Sequence, residues 1–269
     1  MMRICRIILV AALVVGPVAA ARANDTALQY GGTPRPLSGH PTVSMKSELI
    51  RMEVGERVAT VDCRFVFDNQ GPECKVRMGF PDQGRGAGDP DEEGQQNPPK
   101  GTFNSFRSWV AGKEVKTTVD RAAHSGNFWH IKTVTFPAHQ TLEIRDRYTV
   151  DVGNTVGFDV PCSVQWTTYL LHTGASWHGN IGRSEVVVTF KRAGVKSPIV
   201  AREIRGDRPH PNYVEHGNNP RVVYYHGPCK PVVSGKTLRF VRTSWRPTTN
   251  DDIDVVFEIH RLRATTSSR

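Results

Sequence analysis

The segment 172–179 carries the side chains best suited to catalysis. It reads HTGASWHG and places Ser176 between His172 and His178. A serine activated by an imidazole and a carboxylate is the nucleophile of many hydrolases, and one form of that site needs Gly-x-Ser-x-Gly on a strand that turns into a helix. Here the second glycine comes one residue late and a strand follows. The segment therefore predicts a structural turn with Trp177 packed on the fold, and a serine-type hydrolase using Ser176 and His178 is the alternative.

The segment 210–216, HPNYVEH, has the residue types of a zinc site without the spacing. Neither His-Glu-x-x-His nor His-x-x-Glu-His fits it, and Pro211 excludes a regular helix there. No zinc site is predicted.

Residues 82–102 form a long loop rich in glycine, proline and acidic residues, with one partial match to a calcium loop. Asp89, Asp91 and Glu93 occupy its first, third and fifth positions. Lys100 stands where a bidentate glutamate is required, so we expect a solvated acidic loop. The run Gly84–Gly88 lacks the residues that complete a nucleotide loop. No metal and no cofactor is predicted.

The N-terminus has the three parts of an export signal. Arg3 and Arg6 precede the apolar run Ile7–Val15, and Ala21-Arg22-Ala23 is a small-x-small cleavage site. The apolar run is shorter than the ~20 residues that span a bilayer. We therefore expect an exported protein, periplasmic or extracellular, with no transmembrane segment after signal removal.

Four cysteines follow the signal, and an oxidising compartment favours disulfides between them. Cys63 and Cys74 lie on two alternating segments joined at Asn69–Pro72, which predict a hairpin. In its register the two cysteines stand about four residues, or ~13 Å, apart, beyond the ~7 Å that a bridge allows. Cys162 and Cys229, both beside prolines, are the first candidates for a pair.

Basic residues are concentrated near the C-terminus of a chain whose formal net charge is +9. Residues 183–269 contain 16 Lys/Arg and 8 Asp/Glu. Such a surface is either ordinary solvated exterior or faces a polyanion, such as an envelope polysaccharide or lipid headgroups. An exported protein seldom meets nucleic acid, and no nucleic-acid-binding module is apparent.

Alternating apolar and polar residues in short segments, separated by Gly, Pro and Asn, run through the chain. They begin at residues 43–54 and recur at 103–110, 128–136, 141–152 and 237–245, among others. This pattern is typical of strands, and no amphipathic helix longer than two turns is present. It predicts an all-β, antiparallel β-sandwich with long loops, immunoglobulin-like or similar.

Two blocks carry a family resemblance. The first contains Phe67, Asn69-x-Gly71-Pro72 and Met78-Gly79-Phe80-Pro81; the second contains Tyr169-x-Leu171 and then Thr173, Gly174, Trp177, Gly179, Ile181 and Gly182. Over roughly residues 43–190 the chain resembles the vault/inter-alpha-trypsin type β-sandwich and, more closely, a family of exported bacterial proteins of unknown function. The resemblance implies a secreted or periplasmic sandwich and assigns no functional residues. It makes Thr173, Gly174, Trp177, Gly179 and Gly182 a structural turn motif.

The sequence thus predicts a non-enzymatic binding or scaffolding module of the cell envelope, whose partner is an envelope protein or a polyanion. The predicted organisation is a signal peptide (1–23), an extended leader (24–42), a β-sandwich domain (43–190), a C-terminal β segment that is either a second small domain or the completion of the first (191–262), and a tail (263–269).

Overall fold

A computed structural model describes residues 26–27, 39–83, 101–120, 127–157, 162–204 and 219–261. The described part of the chain is nearly all β, with 66% of its residues in strands and 5% in helix. The predicted all-β, sandwich-like fold is confirmed. No helix among the described residues has the length and hydropathy needed to span a membrane.

Most of the strands are those that the alternation predicts, with shifts at their ends. The strands are β1 (Thr26–Ala27), β2 (Val43–Val54), β3 (Val58–Asn69), β4 (Cys74–Gln83), β5 (Phe103–Val110), β6 (Lys113–Val115), β7 (Thr118–Asp120), β8 (Asn127–Phe136), β9 (Thr141–Asp151), β10 (Gly153–Gly157), β11 (Cys162–Tyr169), β12 (Ile181–Phe190), β13 (Val200–Glu203), β14 (Val222–His226), β15 (Val232–Ser234), β16 (Thr237–Trp245) and β17 (Ile253–Arg261). Of these, β1, β10 and β15 have no predicted counterpart. Short 3-10 helices span His172–Ser176 and Thr249–Asp251.

The strands form one large sheet and two smaller ones. The large sheet has the order β15-β16-β12-β2-β3-β9-β5-β6, and the smaller sheets have the orders β1-β4-β8-β7 and β10-β11-β17-β14-β13. Most neighbours are antiparallel, but β12 runs parallel to β2. One continuous apolar cluster contains residues of all three sheets, among them Phe65 of β3, Phe136 of β8 and Phe257 of β17. The inner face of the large sheet therefore packs on both smaller sheets.

The predicted hairpin between β3 and β4 is wrong. Strand β3 pairs with β2 and β9, whereas β4 pairs with β1 and β8 in another sheet. The break between them is a corner built on buried Asn69. Its Nδ2 donates to the carbonyl oxygens of Pro72 (2.7 Å) and Pro137 (3.1 Å), and its Oδ1 accepts from Gly71 N (3.1 Å). These bonds direct the chain from one layer to the other instead of back along β3.

Strands of the C-terminal segment share sheets with earlier strands. β16 pairs with β12, and β17 pairs with β11. Arg192 is buried at this junction, where its Nε donates to Glu258 Oε1 (2.8 Å) and its Nη1 to Gly55 O (3.1 Å). Its guanidinium also lies over the ring of Phe257, 4.8 Å from the centroid. One of the basic residues of the C-terminal third is therefore part of the interior rather than of a binding surface.

Candidate functional site

The outer face of the large sheet carries arginines in register across its strands. Following the strand pairs from β16 to β5, one row of directly opposed residues runs Arg239, Val187, Arg51, Asp62, Arg147, Arg107. The next row runs Val241, Glu185, Leu49, Arg64, Arg145, Trp109. We call the six arginines of these two rows the arginine band. Because side chains alternate along a strand, all of them point away from the core.

Two pairs of arginines in the band face each other directly. Arg64 on β3 is the cross-strand partner of Arg145 on β9, and Arg107 on β5 is the partner of Arg147 on β9. Like charges in opposed positions destabilise a sheet. Such an arrangement therefore needs nearby anions to offset the repulsion.

Carboxylates of the protein supply part of that compensation. Arg145 Nε donates to both Asp62 oxygens at 3.1 Å, and its Nη2 donates to Oδ2 as well. Arg107 donates to Glu114 through Nε (2.9 Å) and Nη2 (2.6 Å). At the other end of the band, Arg239 Nε donates to Glu185 Oε1 at 2.7 Å, as does Arg183 to Oε2 at 2.8 Å.

These carboxylates are held ionised. Burial by itself would raise the pKa of the Asp62 carboxyl, but the hydrogen bonds from Arg145 and the charges of neighbouring arginines make the net change a lowering. The hydrogen bond from Arg107 lowers the pKa of Glu114, and that from Arg239 lowers the pKa of Glu185. With Arg183, which shares Glu185, and Glu143, whose charge acts on Arg145, seven arginines face four carboxylates, which leaves three excess positive charges.

The excess charge lies on particular residues. Among the described residues, the guanidinium groups of Arg51 and Arg147 make no hydrogen bond or ion pair, and both side chains are exposed. Arg64 is 3.7 Å from Asp62, too far for a hydrogen bond, and its side chain is 48% exposed. Three guanidinium groups are therefore available to an external anion.

A cleft of about 230 Å³ opens at one end of the band. It is lined by Arg64, Trp109, Gly112, Glu143 and Arg145. The guanidinium groups of Arg107 and Arg145 lie 5.0 and 5.2 Å from the Trp109 ring centroid, within the range of cation–π attraction. Gly112 has φ +75° in the two-residue turn between β5 and β6, where a side chain would be strained. At Gly112 the wall of the cleft is therefore formed by backbone atoms without a side chain.

The predicted turn motif occupies a different part of the molecule, after β11. Thr173 and Gly174 are buried in the 3-10 helix, and Trp177 is buried against Phe67 with ring centroids 4.5 Å apart. Gly179 follows with φ +65°. These residues lie where the chain passes from one sheet to another.

The hydrolase alternative lacks an accessible nucleophile. Ser176 is only 3% exposed. His172 Nδ1 lies 2.8 Å from Asp252 Oδ2, whose other oxygen accepts from the backbone of Leu171 (2.9 Å) and His172 (3.1 Å). Asp252 therefore ties the start of the 3-10 helix to β17. His178 is exposed, and its backbone N donates to Val43 O at 2.8 Å.

His40 extends the same structural arrangement. Its Nδ1 accepts from the backbone N of Val43 at 2.9 Å, and its ring lies 6.1 Å from that of Trp177. Burial, and then the charge of His178, lower the pKa of His40. A neutral imidazole that accepts backbone hydrogen bonds fits a role in holding the strand β2 against the turn.

The predicted Cys162–Cys229 disulfide is not seen. Cys229 is a free thiol whose Sγ lies 3.5 Å from Val241 O. Of Cys162, which begins β11, the structure describes only the backbone. Cys63 and Cys74, also candidates for disulfides, are free thiols, and they belong to separate sheets. Cys63 Sγ lies 3.5 Å from the Tyr169 hydroxyl in the core.

Several predicted features lie outside the described residues. They are the signal peptide, the partial calcium loop with Asp89, Asp91 and Glu93, the run Gly84–Gly88, the segment 210–216 and the tail 263–269. Within the described ranges, no group of three or more His, Cys, Asp or Glu side chains could hold a metal ion.

Comparison with known proteins gives structural likeness without sequence likeness. No protein-family model matches the chain, and a search of the curated proteins gives no match. A Legionella pneumophila protein, provisionally named a nutrient binding protein, superposes with a TM-score of 0.59 at 18% identity, over 89% of this chain and 70% of that chain. The two chains share a fold. The family resemblance of the sequence remains an expectation.

Weaker likenesses involve much larger enzymes. An M1 zinc metallopeptidase from Deinococcus radiodurans gives a TM-score of 0.36 at 10% identity, over 81% of this chain and 43% of that chain. Leukotriene A4 hydrolase from Saccharomyces cerevisiae gives 0.40 at 7%, over 80% and 29%. Likeness at this level carries no conclusion about activity.

A substitution in the turn motif tests its packing. A Cβ atom on Gly182 would come 2.4 Å from the backbone oxygen of Lys46 on β2. Because backbone cannot swing aside as a side chain can, we expect Gly182→Ala to lower the free energy of unfolding by roughly 1–3 kcal/mol. Urea unfolding measures this. Gly39→Ala, whose Cβ would meet only the end of Arg246 at 3.8 Å, is the matched control, and equal midpoints for the two variants would contradict the prediction.

Proposed function

We propose that the protein is an exported, non-enzymatic β-sandwich module that binds an anionic polymer of the cell envelope through the arginine band. The observation that carries the proposal is the pairing of Arg64 with Arg145 and of Arg107 with Arg147 in opposed positions on one open sheet face. The protein's own carboxylates compensate only part of this charge. A bound polyanion would supply the rest.

The spacing of the arginines along one row of the band favours an extended ligand. Arg239, Arg51 and Arg147 stand in one row on every second strand. Since neighbouring strands are ~4.8 Å apart, their Cα positions recur about every 10 Å. A chain with regularly spaced anionic groups, lying across the strands, can engage several of these side chains at once.

Other features agree with this role. The N-terminal sequence has the form of an export signal, which would deliver the protein to the envelope. The Legionella protein with the same fold is named for binding rather than for catalysis. The buried Ser176 speaks against the hydrolase alternative.

The proposal predicts strongly salt-dependent binding to an acidic polysaccharide. The purified protein should be retained on immobilised polygalacturonate at low ionic strength and released by about 0.5 M salt, because the Debye length falls to a few ångströms at high salt. Dextran, a neutral polymer, should not retain it. Retention that is equal on both polymers, or indifferent to salt, would contradict the proposal.

Paired variants locate the binding face. Arg51→Gln with Arg147→Gln removes two guanidinium groups that make no hydrogen bond or ion pair among the described residues, and we expect about tenfold weaker binding to polygalacturonate, equivalent to ~1.4 kcal/mol. Arg202→Gln with Arg221→Gln removes the same charge from exposed positions at the other, five-stranded sheet. Equal losses in the two double variants would show attraction by net charge alone and would overturn the proposed face.

A further inference from the structure

We infer that the cleft beside Trp109 is a subsite for one carboxylate-bearing sugar unit, a uronate, of the bound polymer. This inference rests on the proposed function and names the chemical class of its ligand. It is carried by the cleft's shape and by the polar groups that its walls present.

We assign the carboxylate of the uronate to the guanidinium group of Arg64. The Arg64 guanidinium makes no hydrogen bond among the described residues, although it lines the cleft. Arg145, directly opposite, uses Nε and one Nη on Asp62 and keeps further N–H groups free. A guanidinium presents a planar fork that matches a carboxylate in two parallel hydrogen bonds. The cleft thus has donors for one carboxylate.

The sugar ring is assigned to the remaining walls. Trp109, with the guanidinium groups of Arg107 and Arg145 over its ring, gives the cleft an apolar wall for C–H groups, and the Glu143 carboxylate is an acceptor for hydroxyl groups. The backbone oxygen of Glu143 accepts from Ala111 N at 2.9 Å, but its carboxylate makes no hydrogen bond among the described residues. The negative charge of that carboxylate disfavours a doubly charged phosphate or sulfate in the same space. A volume of about 230 Å³ equals roughly eight waters at ~30 Å³ each, which suits a single sugar unit.

The continuation of the band distinguishes a polymer unit from a free amino acid. An amino acid could place its carboxylate on Arg64 and its ammonium on Glu143, but nothing of it would reach Arg147 and Arg51. A polyuronate carries a carboxylate on every unit and can extend from the cleft along the row. The cleft and the band are then parts of one binding face.

Titrations with small probes test the subsite. Changes in tryptophan fluorescence or NMR shifts should show galacturonate binding, with galactose, acetate and glycine each at least tenfold weaker. Arg64→Gln and Glu143→Gln should each weaken galacturonate binding at least fivefold, whereas Arg202→Gln, an exposed substitution on the five-stranded sheet, should leave it unchanged. If galactose or acetate binds with the same affinity as galacturonate, the assignment of a uronate is wrong. If glycine binds more tightly than galacturonate, the cleft is assigned to amino acids instead.

The two proposals fail in different ways. If polygalacturonate binds in a salt-dependent manner but Arg64→Gln is no weaker than Arg51→Gln on the polymer, and galacturonate itself does not bind, the subsite is wrong while the binding face stands. If polygalacturonate does not bind at low salt, the proposed function is wrong. Circular dichroism and urea unfolding of Arg64→Gln confirm that an exposed substitution has left the fold intact.

Discussion

Lys132→Met is expected to destabilise the protein by about 3–5 kcal/mol. Lys132 lies on β8 and Asp146 on β9, and the lysine Nζ donates to both carboxylate oxygens at 2.7 Å. Their side chains are 2% and 0% exposed, so the pair is a charged bridge between two sheets inside the core. Removing the lysine leaves Asp146 buried without its counterion, which is among the most costly single changes in a protein interior. Urea unfolding at neutral pH measures the loss.

The double variant Lys132→Met with Asp146→Leu separates charge from packing. Replacing both members of a buried ion pair by apolar residues of similar size is often neutral or stabilising. We therefore expect the double variant to recover most of the stability that Lys132→Met loses. If the free energy of unfolding of Lys132→Met lies within 1 kcal/mol of the wild-type value, the prediction is wrong and water reaches the Asp146 carboxylate.

The surroundings of Asp146 indicate why this pair matters to the fold. On the inner face of the large sheet Asp146 stands between Cys63 and Ser108. The Ser108 hydroxyl is fully buried and has no hydrogen-bond partner in the described part of the chain. The Asp146 carboxylate, placed in this apolar interior, therefore needs the Lys132 ammonium of the facing sheet as its counterion. We infer that the pair fixes the register of the two layers.

Period-two alternation was sufficient to predict the strands but not their neighbours. The hairpin between β5 and β6 joins segments that are close in sequence through the two-residue turn Ala111–Gly112. The segments around Asn69 look equally like a hairpin, yet the buried Asn69 side chain binds carbonyl groups of β8's end and forms a corner. The sequence does not distinguish an asparagine that binds distant carbonyl groups from an asparagine in a tight turn.

The candidate site shows the same limit. Arg145 and Arg147 are two residues apart, as are Arg107 and Trp109, so each strand's outward residues can be read from the sequence. Their assembly cannot, because it depends on β9 lying between β3 and β5. Charge counting pointed to the C-terminal third, whereas only Arg239 of the band comes from that segment and Arg192 is buried. Counting charged residues along a segment of the sequence does not show where on the folded surface their charges lie.

Trp177→Ala is expected to lower the free energy of unfolding by about 3–5 kcal/mol, the range for truncating a large buried aromatic side chain. Among the described residues, Trp177 is the largest of the fully buried side chains, and its ring contacts Phe67 of β3 and Phe136 of β8, with centroids 4.5 and 6.1 Å away. It therefore joins two sheets at the turn that follows β11. Thermal or urea unfolding gives the loss.

Trp166 offers a matched control in the same protein. Its side chain is 38% exposed on β11, so Trp166→Ala should cost only about 1 kcal/mol. Trp177→Ala would also leave an apolar cavity between Phe67 and Phe136, and such cavities bind small aromatic molecules. Added indole should accordingly raise the melting temperature of Trp177→Ala by an amount that grows with the logarithm of its concentration above Kd, and leave Trp166→Ala unaffected. If both alanine variants lose the same stability and neither responds to indole, Trp177 does not fasten the two sheets together, and the turn motif needs another explanation.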